Sequence, residues 1–554
     1  MNLSIFDIPI LKEDVAQYLS SGDLARCTLV SKKWREYFAS VLWRHPFEND
    51  FKHKKTTKIV RYKDYIRSIQ GSRLNSDQLR ENIFKLSFPT LRSLKIDIPE
   101  SAQPDYKMNL LQFIEANTTL QILDLSITEY RGEVREKLVS TLQSHPHLQE
   151  FSLFTREKVH HIYIQDVIEA CPRFVTLKLD FPRWNSTKEL ESPIDAKDRS
   201  APVGDTNIRD LLILPSFPDD ESTILVPLLK RCPLLEKLTL KGLKESTVKE
   251  IAEVLKSGRY PLLKELTTTN LADYHRGKEG VLELLTSIGR TTGTADGADG
   301  DGRRGLVTYI EDTPELGRVS WTPVLVQHHY QTLTRLELRI STVADFNPLP
   351  EALLHLPHLQ EFAAKAGLYF MPDDFAKIAP LLQEQWVCKD LTSLDLEFAI
   401  PGALKSVRHR DWKGSMADQC LTWVFEQVGQ LAKLRDFEVE GGRDLISHYK
   451  HNLAGLKQLR SLKFGNWEGN RRYAASRGDA EWMIENMPRL AEIVVADNIF
   501  ESQKKMDYIA SGLASFIREF KKRKPLVQVR RKIVAHEDPE EDPYSYRAFR
   551  RSIF

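Results

Sequence analysis

At 554 residues the chain is longer than one ordinary compact domain, and its 41% apolar content is enough to bury a core. A formal net charge of +2 supplies no global attraction for nucleic acid, which is therefore not an expected partner. Five scattered cysteines, Cys27, Cys171, Cys232, Cys388 and Cys420, form no CxxC pair, which argues against a disulfide framework or zinc cluster and for a reducing compartment.

The opening residues, MNLSIFDIPILKEDVAQ, carry acids where a signal peptide needs an unbroken apolar run, and no stretch of about eighteen apolar residues occurs. The expectation is an intracellular protein, cytoplasmic and/or nuclear, with no membrane partner. Leu11, Val15 and Leu19, with Tyr18 beside them, make the face of a first short helix. SSGD reads as a turn, with Asp23 as the N-cap of a second helix. In DLARCTLVSKKWREYFASVLWR the residues Cys27, Val30, Trp34, Phe38 and Val41 recur every three or four positions, and a third short piece is expected around VLWR. Three short helices in about forty residues do not bury enough surface to stand alone. Either they dock on the rest of the chain or a partner completes their core.

From residue 91 onward an LxxLxL pattern repeats. The first leucine-type positions fall at 91, 120, 148, 174, 208, 235 and 263, and again at 333, 359, 391, 434, 459 and 490. The early steps are 26–34 residues, the length of leucine-rich units that each hold a strand and a helix. GLVTYIE, near 306, is the candidate for a hidden unit in the gap. The intervals, such as VREKLVSTLQSHP and VKEIAEVLKSG, read as helices, many ending at a Pro just before the next strand. One unit cannot bury its own apolar edge, so stacked units must share a continuous core. The expected fold is α/β, a leucine-rich-repeat solenoid with parallel strands on the concave face and helices on the convex face, behind a small all-α module. The ninth repeat position, often Asn or Cys, is here Thr128, Pro182, Leu243, Ser341, Gly442 and once Asn498, so the repeat is divergent. The boundaries read 1–48 for the helical module, 49–85 for a connecting or capping segment, 86–515 for the repeats and 516–554 for a charged tail. Polar insertions fall near 183–205 and 289–305. The tail holds REFKKRKPLVQVRRK, compatible with an import signal or a polyanion contact, and then EDPEED.

Alternation along a strand puts Asp436, Glu438 and Glu440 on one exposed face, and Asp395 and Glu397 on the same face of another strand. If these strands are neighbours, five carboxylates share one surface, which suits a protein target with a basic segment. The competing reading is neutralisation by Arg335, Arg339, Lys365 and Lys463 on flanking strands. No G-x-S-x-G, Walker loop or HExxH is present. His145-His147, His160-His161 and His328-His329 lack ligand-spaced companions and read as surface or turn residues. No enzyme activity, metal or cofactor is expected.

The N-terminal block resembles the F-box. The matching residues are Ile8-Pro9, Val15, Tyr18-Leu19, Asp23-Leu24, Leu29-Val30-Ser31, Trp34-Arg35 and Leu42-Trp43-Arg44, over roughly residues 3–48. The acidic residue often found soon after the Leu-Pro is displaced here, with Ile10-Leu11 in its place and Glu13 later. An F-box followed by leucine-rich repeats resembles the substrate receptors of SCF-type ubiquitin ligases. That resemblance implies a Skp-type adaptor and a cullin ligase scaffold as partners, with an unknown protein substrate on the repeats. By position it implies Ile8, Pro9, Leu11, Val15, Leu19, Leu24, Leu42 and Trp43 as adaptor-facing, while Val30, Trp34 and Phe38 hold the helices together. The alternative is a leucine-rich-repeat scaffold or inhibitor whose helices merely cap the array, with no ligase link.

Overall fold

The computed structural model describes residues 9–46, 56–71, 83–98, 104–127, 132–155, 167, 173–180, 205–214, 221–269, 279–290, 305–312, 321–339, 348–364, 379–397, 416–440, 448–466, 477–498 and 515–534. The polar insertions at 183–204 and 291–304, and the pair His160-His161, lie outside them. The chain divides into two compact units. The first is 1–254 with 259–262, and the second is 255–258 with 263–554.

The first unit begins with helices α1 (Pro9–Gln17), α2 (Ser21–Cys27) and α3 (Lys32–Leu42), then α4 (Thr56–Tyr62). Seven strands follow in chain order: β1 (Ser68–Gly71), β2 (Ser93–Asp97), β3 (Ile122–Ile127), β4 (Glu150–Thr155), β5 (Thr176–Asp180), β6 (Asp210–Leu214) and β7 (Lys237–Lys241). Each is parallel to the next. Helices α5 (Pro104–Ala116), α6 (Gly132–Gln143), α7 (Glu221–Lys230) and α8 (Glu245–Leu255) lie between strands in the chain. The second unit repeats the plan with β8 (Glu265–Thr269), β9 (Thr308–Asp312), β10 (Arg335–Arg339), β11 (Glu361–Ala364), β12 (Ser393–Glu397), β13 (Asp436–Glu440), β14 (Ser461–Asn466), β15 (Glu492–Asn498) and β16 (Gln528–Val534). Its helices are α9 (Glu279–Arg290), α10 (Thr322–His329), α11 (Pro348–His355), α12 (Met416–Gly429) and α13 (Arg477–Asn486). These are leucine-rich-repeat arrays, as the pattern predicts.

Register explains the repeat. Leu94, Leu123, Phe151, Leu177, Leu211 and Leu238 pair in succession, forming one buried column. The first leucines, Leu91, Leu120, Leu148, Phe174, Ile208 and Leu235, form a second column at 0–1% exposure. Burial of each such side chain contributes about 1.5–3 kcal/mol, and only the neighbouring unit supplies the covering surface. Backbone groups complete the stack. One carbonyl per unit, two residues after the previous first leucine's N-terminal neighbour, accepts two N–H groups from the next unit. Arg92 O accepts from Gln121 (2.8 Å) and Ile122 (2.9 Å), and Gln121 O from Gln149 (2.9 Å) and Glu150 (3.0 Å). The second unit follows the same rule from Lys264 to Arg460.

The buried amide ladder missing at the ninth position has a substitute three residues before the first leucine. There Asn117 accepts the Phe88 N–H (2.7 Å) and donates to the Phe113 carbonyl (2.6 Å). The same slot holds His145, whose Nε2 lies 2.9 Å from the Ile114 carbonyl, and Tyr260, whose hydroxyl donates to the Leu229 carbonyl at 2.8 Å. Each reaches into the preceding unit, so these polar side chains join repeats while satisfying buried backbone groups.

Three expectations change. The array begins earlier than residue 86, because β1 pairs with β2 inside the segment read as a connector. It also continues past 515. The helix at 515–523 buries Phe516 and Phe520 completely, and β16 pairs with β15 along its length, so residues 515–534 are repeat and not tail. GLVTYIE does form a strand, β9, with Leu306 buried in the first-leucine slot. Finally, His145 and His329 are not surface residues: they are 3% and 1% exposed.

His329 bridges three segments of the second unit. Its Nδ1 accepts the Leu306 N–H (3.2 Å) and its Nε2 donates to the Leu285 carbonyl (3.0 Å), which fixes a neutral ring. Burial pushes its pKa down from 6.5 to about 4, against the Leu285 hydrogen bond and with help from His328. The unfolded chain takes up this proton near 6.5, whereas the folded chain resists until about 4. Stability contributed at this site is therefore whole above that window, falls as pH drops through it, and levels off below, a loss of about 3 kcal/mol. We predict that urea denaturation between pH 7 and 4 shows this slope in the parent protein and a shallower one in His329→Gln. Equal slopes would refute the assignment.

Candidate functional site

The strongest functional candidate is the N-terminal module and its seam with the repeats. The long second helix expected from spacing is broken. Ser20 caps α2, its hydroxyl accepting the Asp23 N–H (3.2 Å) and donating to the Asp23 carboxylate (2.6 Å). That hydroxyl, ahead of the Arg26 charge, holds the Asp23 pKa below its usual value. Asp23 is thus a first-turn acid and not the cap. Ser31 caps α3 by accepting the Trp34 N–H at 3.1 Å. The break falls at Thr28–Val30, and VLWR is the end of α3 with Trp43 as its C-cap.

Ala16, Leu24 and Phe38 are the module's buried core, with Leu19, Cys27, Trp34, Tyr37, Val41 and Leu42 packed on it. Trp34 and Tyr37 both lie against the Phe38 ring, at 5.3 and 4.9 Å between centroids. The core is small, but it is contained within the chain.

The expected adaptor-facing residues therefore separate. Leu24 is buried, and Leu19 and Leu42 pack on the core, so their first role is to hold the helices together. Trp43 stacks on Tyr62 of α4 at 5.2 Å with 17° between planes, which engages it within the chain. Val15 is 38% exposed and stays available. Pro9 and Leu11 belong to α1, but their side chains are outside the described set, as is all of Ile8. Conversely, Val30 is 63% exposed and does not hold the helices together. Tyr18 at 89% and Leu29 at 76%, both among the matching residues but not among those expected to face an adaptor, add exposed apolar surface.

The seam is covalent in sequence and hydrogen-bonded in space. Arg44 O accepts the N–H groups of Arg67 (2.9 Å) and Ser68 (3.2 Å), the same arrangement that joins one repeat to the next. Its side chain returns to α1, Nη2 meeting Glu13 Oε1 at 3.0 Å. His45 Nδ1 lies 2.8 Å from Ser68 Oγ. The module thus serves as the rung before β1.

The second candidate is the acidic strand face. β12 and β13 are neighbours, with Ser393 opposite Asp436, Asp395 opposite Glu438 and Glu397 opposite Glu440. The Glu397 and Glu440 side chains are outside the described set. A hollow of 310 Å³ over β10–β14 is lined by Glu337, Glu361, Asp395, Asp436 and Glu438, with Arg335 and Lys463 as its cations. Lys463 Nζ pairs with Glu438 Oε2 at 3.1 Å. Burial disfavours the Lys463 ammonium, but that hydrogen bond and the charges of Glu438, Asp395 and Glu492 outweigh it and raise its pKa. Arg335 is shared between Glu337 and Glu361, both at 3.5 Å. Neutralisation is real but incomplete: Asp436 is exposed and has no ion-pair partner among the described residues.

No group of three His, Cys, Asp or Glu side chains among the described residues is arranged to hold a metal ion. No described helix is long and apolar enough to cross a membrane.

Residues 4–49 match the F-box-like family model. No curated protein sequence matches the chain significantly. Among solved structures, the chain is similar to the Rad7 and Elc1 complex of yeast, at 12% identity over 88% of this chain and 91% of that one, with a TM-score of 0.34. It is also similar to the leucine-rich repeat-containing protein LegL7 from Legionella pneumophila, at 11% identity over 70% of this chain and 97% of that one, with a TM-score of 0.30.

The stacking of Trp43 on Tyr62 predicts energetic coupling across the seam. Trp43→Ala and Tyr62→Ala should each destabilise the first unit by about 1–2 kcal/mol, and the double variant should fall short of their sum by about 0.5–1.5 kcal/mol. Chemical denaturation followed by tryptophan fluorescence and circular dichroism measures this. Strict additivity would show that the rings do not act together.

Proposed function

With an F-box-like module hydrogen-bonded to the first leucine-rich repeats, we propose that the protein is a non-catalytic substrate receptor of an SCF-type ubiquitin ligase. The module binds a Skp-type adaptor, the adaptor links it to a cullin scaffold, and the repeats hold a target protein. The single observation that carries this reading is the F-box-like match over residues 4–49, which coincides with a folded three-helix unit displaying exposed Val15, Tyr18 and Leu29. The mechanism is positional. A target held on the strand face is kept at high local concentration near the conjugating machinery, and the chain supplies no reacting group.

The adaptor surface is best assigned to Pro9, Leu11 and Val15, together with Ile8, since Leu19, Leu24, Leu42 and Trp43 already have intramolecular work. The purified full chain should bind a Skp-type adaptor in calorimetric titration at micromolar affinity or tighter. Val15→Glu should weaken this at least roughly tenfold, because it places a charge in an apolar contact, while leaving the thermal unfolding profile intact. No binding at micromolar adaptor would remove the ligase reading and leave the scaffold alternative.

For the target, the acidic face of β12 and β13 suits a basic segment, with Asp395, Asp436 and Glu438 as the defined contacts and Glu397 and Glu440 as the extension of that row. Asp436→Lys should weaken capture of a basic target and flatten its salt dependence, since an exposed ion pair is screened by salt. Titration of a labelled oligolysine peptide at two ionic strengths reads this. An unchanged salt slope would exclude the acidic face as the target site.

A further inference from the structure

Arg44, Arg67 and Arg92 occupy the same place on three successive rungs. Arg44 O accepts from Arg67 and Ser68, and Arg67 O accepts in turn from Arg92 (2.8 Å) and Ser93 (3.0 Å). Neighbouring rungs of such an array stand about 4.8 Å apart, so the backbone forces three guanidinium-bearing residues side by side. Among the described residues Arg44 has an ion-pair partner, Glu13 at 3.0 Å. Neither Arg67 nor Arg92 has an ion-pair partner among the described residues. The same row further along shows that adjacent side chains do meet, for Arg209 and Glu236 also occupy successive rungs and pair at 2.7 Å. On the neighbouring strand row, Lys95 is likewise matched, to Asp124 at 2.8 Å. Arg435 and Arg460 in the second unit also stand on successive rungs without an ion pair among the described residues; what distinguishes the seam is the third arginine, Arg44, on the rung before Arg67.

These charges act on one another. Burial, then the charges of Arg44 and Arg92, lowers the Arg67 pKa, with Glu13 alone opposing. His45 adds a titratable ring to the cluster: burial and the charges of Arg44 and Arg67 lower its pKa. Like charges on adjacent strands are unfavourable unless an anion lies between them. Two planar guanidinium forks carried on neighbouring rungs suit an oxyanion, which accepts paired N–H bonds from each.

We propose that Arg67 and Arg92 form a binding site for an oxyanion-bearing peptide segment, whose carboxylate or phosphate group bridges the two guanidiniums at the seam between the helical module and the first repeats. The site lies in the first unit and the acidic face in the second.

The test is fluorescence anisotropy on the full chain with four labelled probes: hexaglutamate, hexaglutamine, a glycine-serine peptide carrying one phosphoserine, and a single-stranded oligonucleotide. Saturable binding of hexaglutamate identifies a carboxylate ligand, and binding of the phosphoserine peptide identifies a phosphate ligand; either supports the site. Arg67→Gln with Arg92→Gln should weaken that binding by at least about tenfold, while Arg209→Gln should leave it within about twofold. If the double variant fails to fold, Arg67→Lys with Arg92→Lys keeps the charge and loses the fork, and should still weaken binding by about threefold or more. In the unaltered chain, saturating peptide should raise the midpoint of the His45 imidazole titration followed by NMR. The proposal is overturned if neither anionic peptide binds, if only the oligonucleotide binds, if hexaglutamine binds equally well, if the arginine variants bind as the parent does, or if the His45 midpoint stays fixed.

Discussion

The structure depends on one repeated hydrogen-bonding arrangement: a single carbonyl in each unit accepts two consecutive N–H groups from the next. It fixes register, and register does the rest. Once Arg92 O holds Gln121 and Ile122, Leu94 must face Leu123 and Ile96 must face Leu125. A slip of one residue would turn every leucine outward, so the hydrophobic columns and the backbone rungs enforce each other. The decisive point for function is that the series starts at Arg44, the residue after the C-cap of α3. The helical module is therefore bonded to the array as if it were a repeat, and Trp43 against Tyr62 braces the same joint.

Much of the fold was legible because leucine columns leave a periodic mark that needs no knowledge of neighbours. Where the mark was overwritten it thins: the unit of β9 was legible only as the candidate GLVTYIE, while the last unit and the helix break were missed. In β9 the slots filled elsewhere by apolar residues hold Tyr309 and Glu311, and Thr268 stands beside them on β8. The Tyr309 hydroxyl donates to the Glu311 carboxylate at 3.0 Å, and this internal partner makes the buried acid tolerable. In β16 Arg531 pairs with Val495, and Leu526 stays 93% exposed, so the last unit has the composition of a charged tail although its backbone is that of a strand. The helix break at Thr28–Val30 was hidden because Val30 keeps helical spacing with Trp34, while the Ser31 side chain decides that a new helix begins.

The functional surfaces were less legible, for a related reason. Whether Leu24 faces a partner or its own core depends on the packing of three helices, which spacing alone does not give. The acidic face was accessible from alternation, because β12 and β13 are consecutive strands, but the Lys463 contribution needed the register of β14. The arginine row carries no sequence signature at all. Arg44, Arg67 and Arg92 lie more than twenty positions apart in the chain and meet only through the rungs. The apolar helical surface and the cationic seam belong to the first unit and the acidic strand face to the second.

The central claim is that the module and the first repeats are one hydrogen-bonded body. Native-state hydrogen exchange on the full chain tests it most directly. The account predicts that the amides of Arg67 and Ser68, which rest on the Arg44 carbonyl, are protected to the same degree as those of Arg92 and Ser93 one rung further on, and that they exchange in the same opening event as α3. Fast exchange at Arg67 and Ser68, with Arg92 and Ser93 still protected, would contradict it and make the module a tethered appendage.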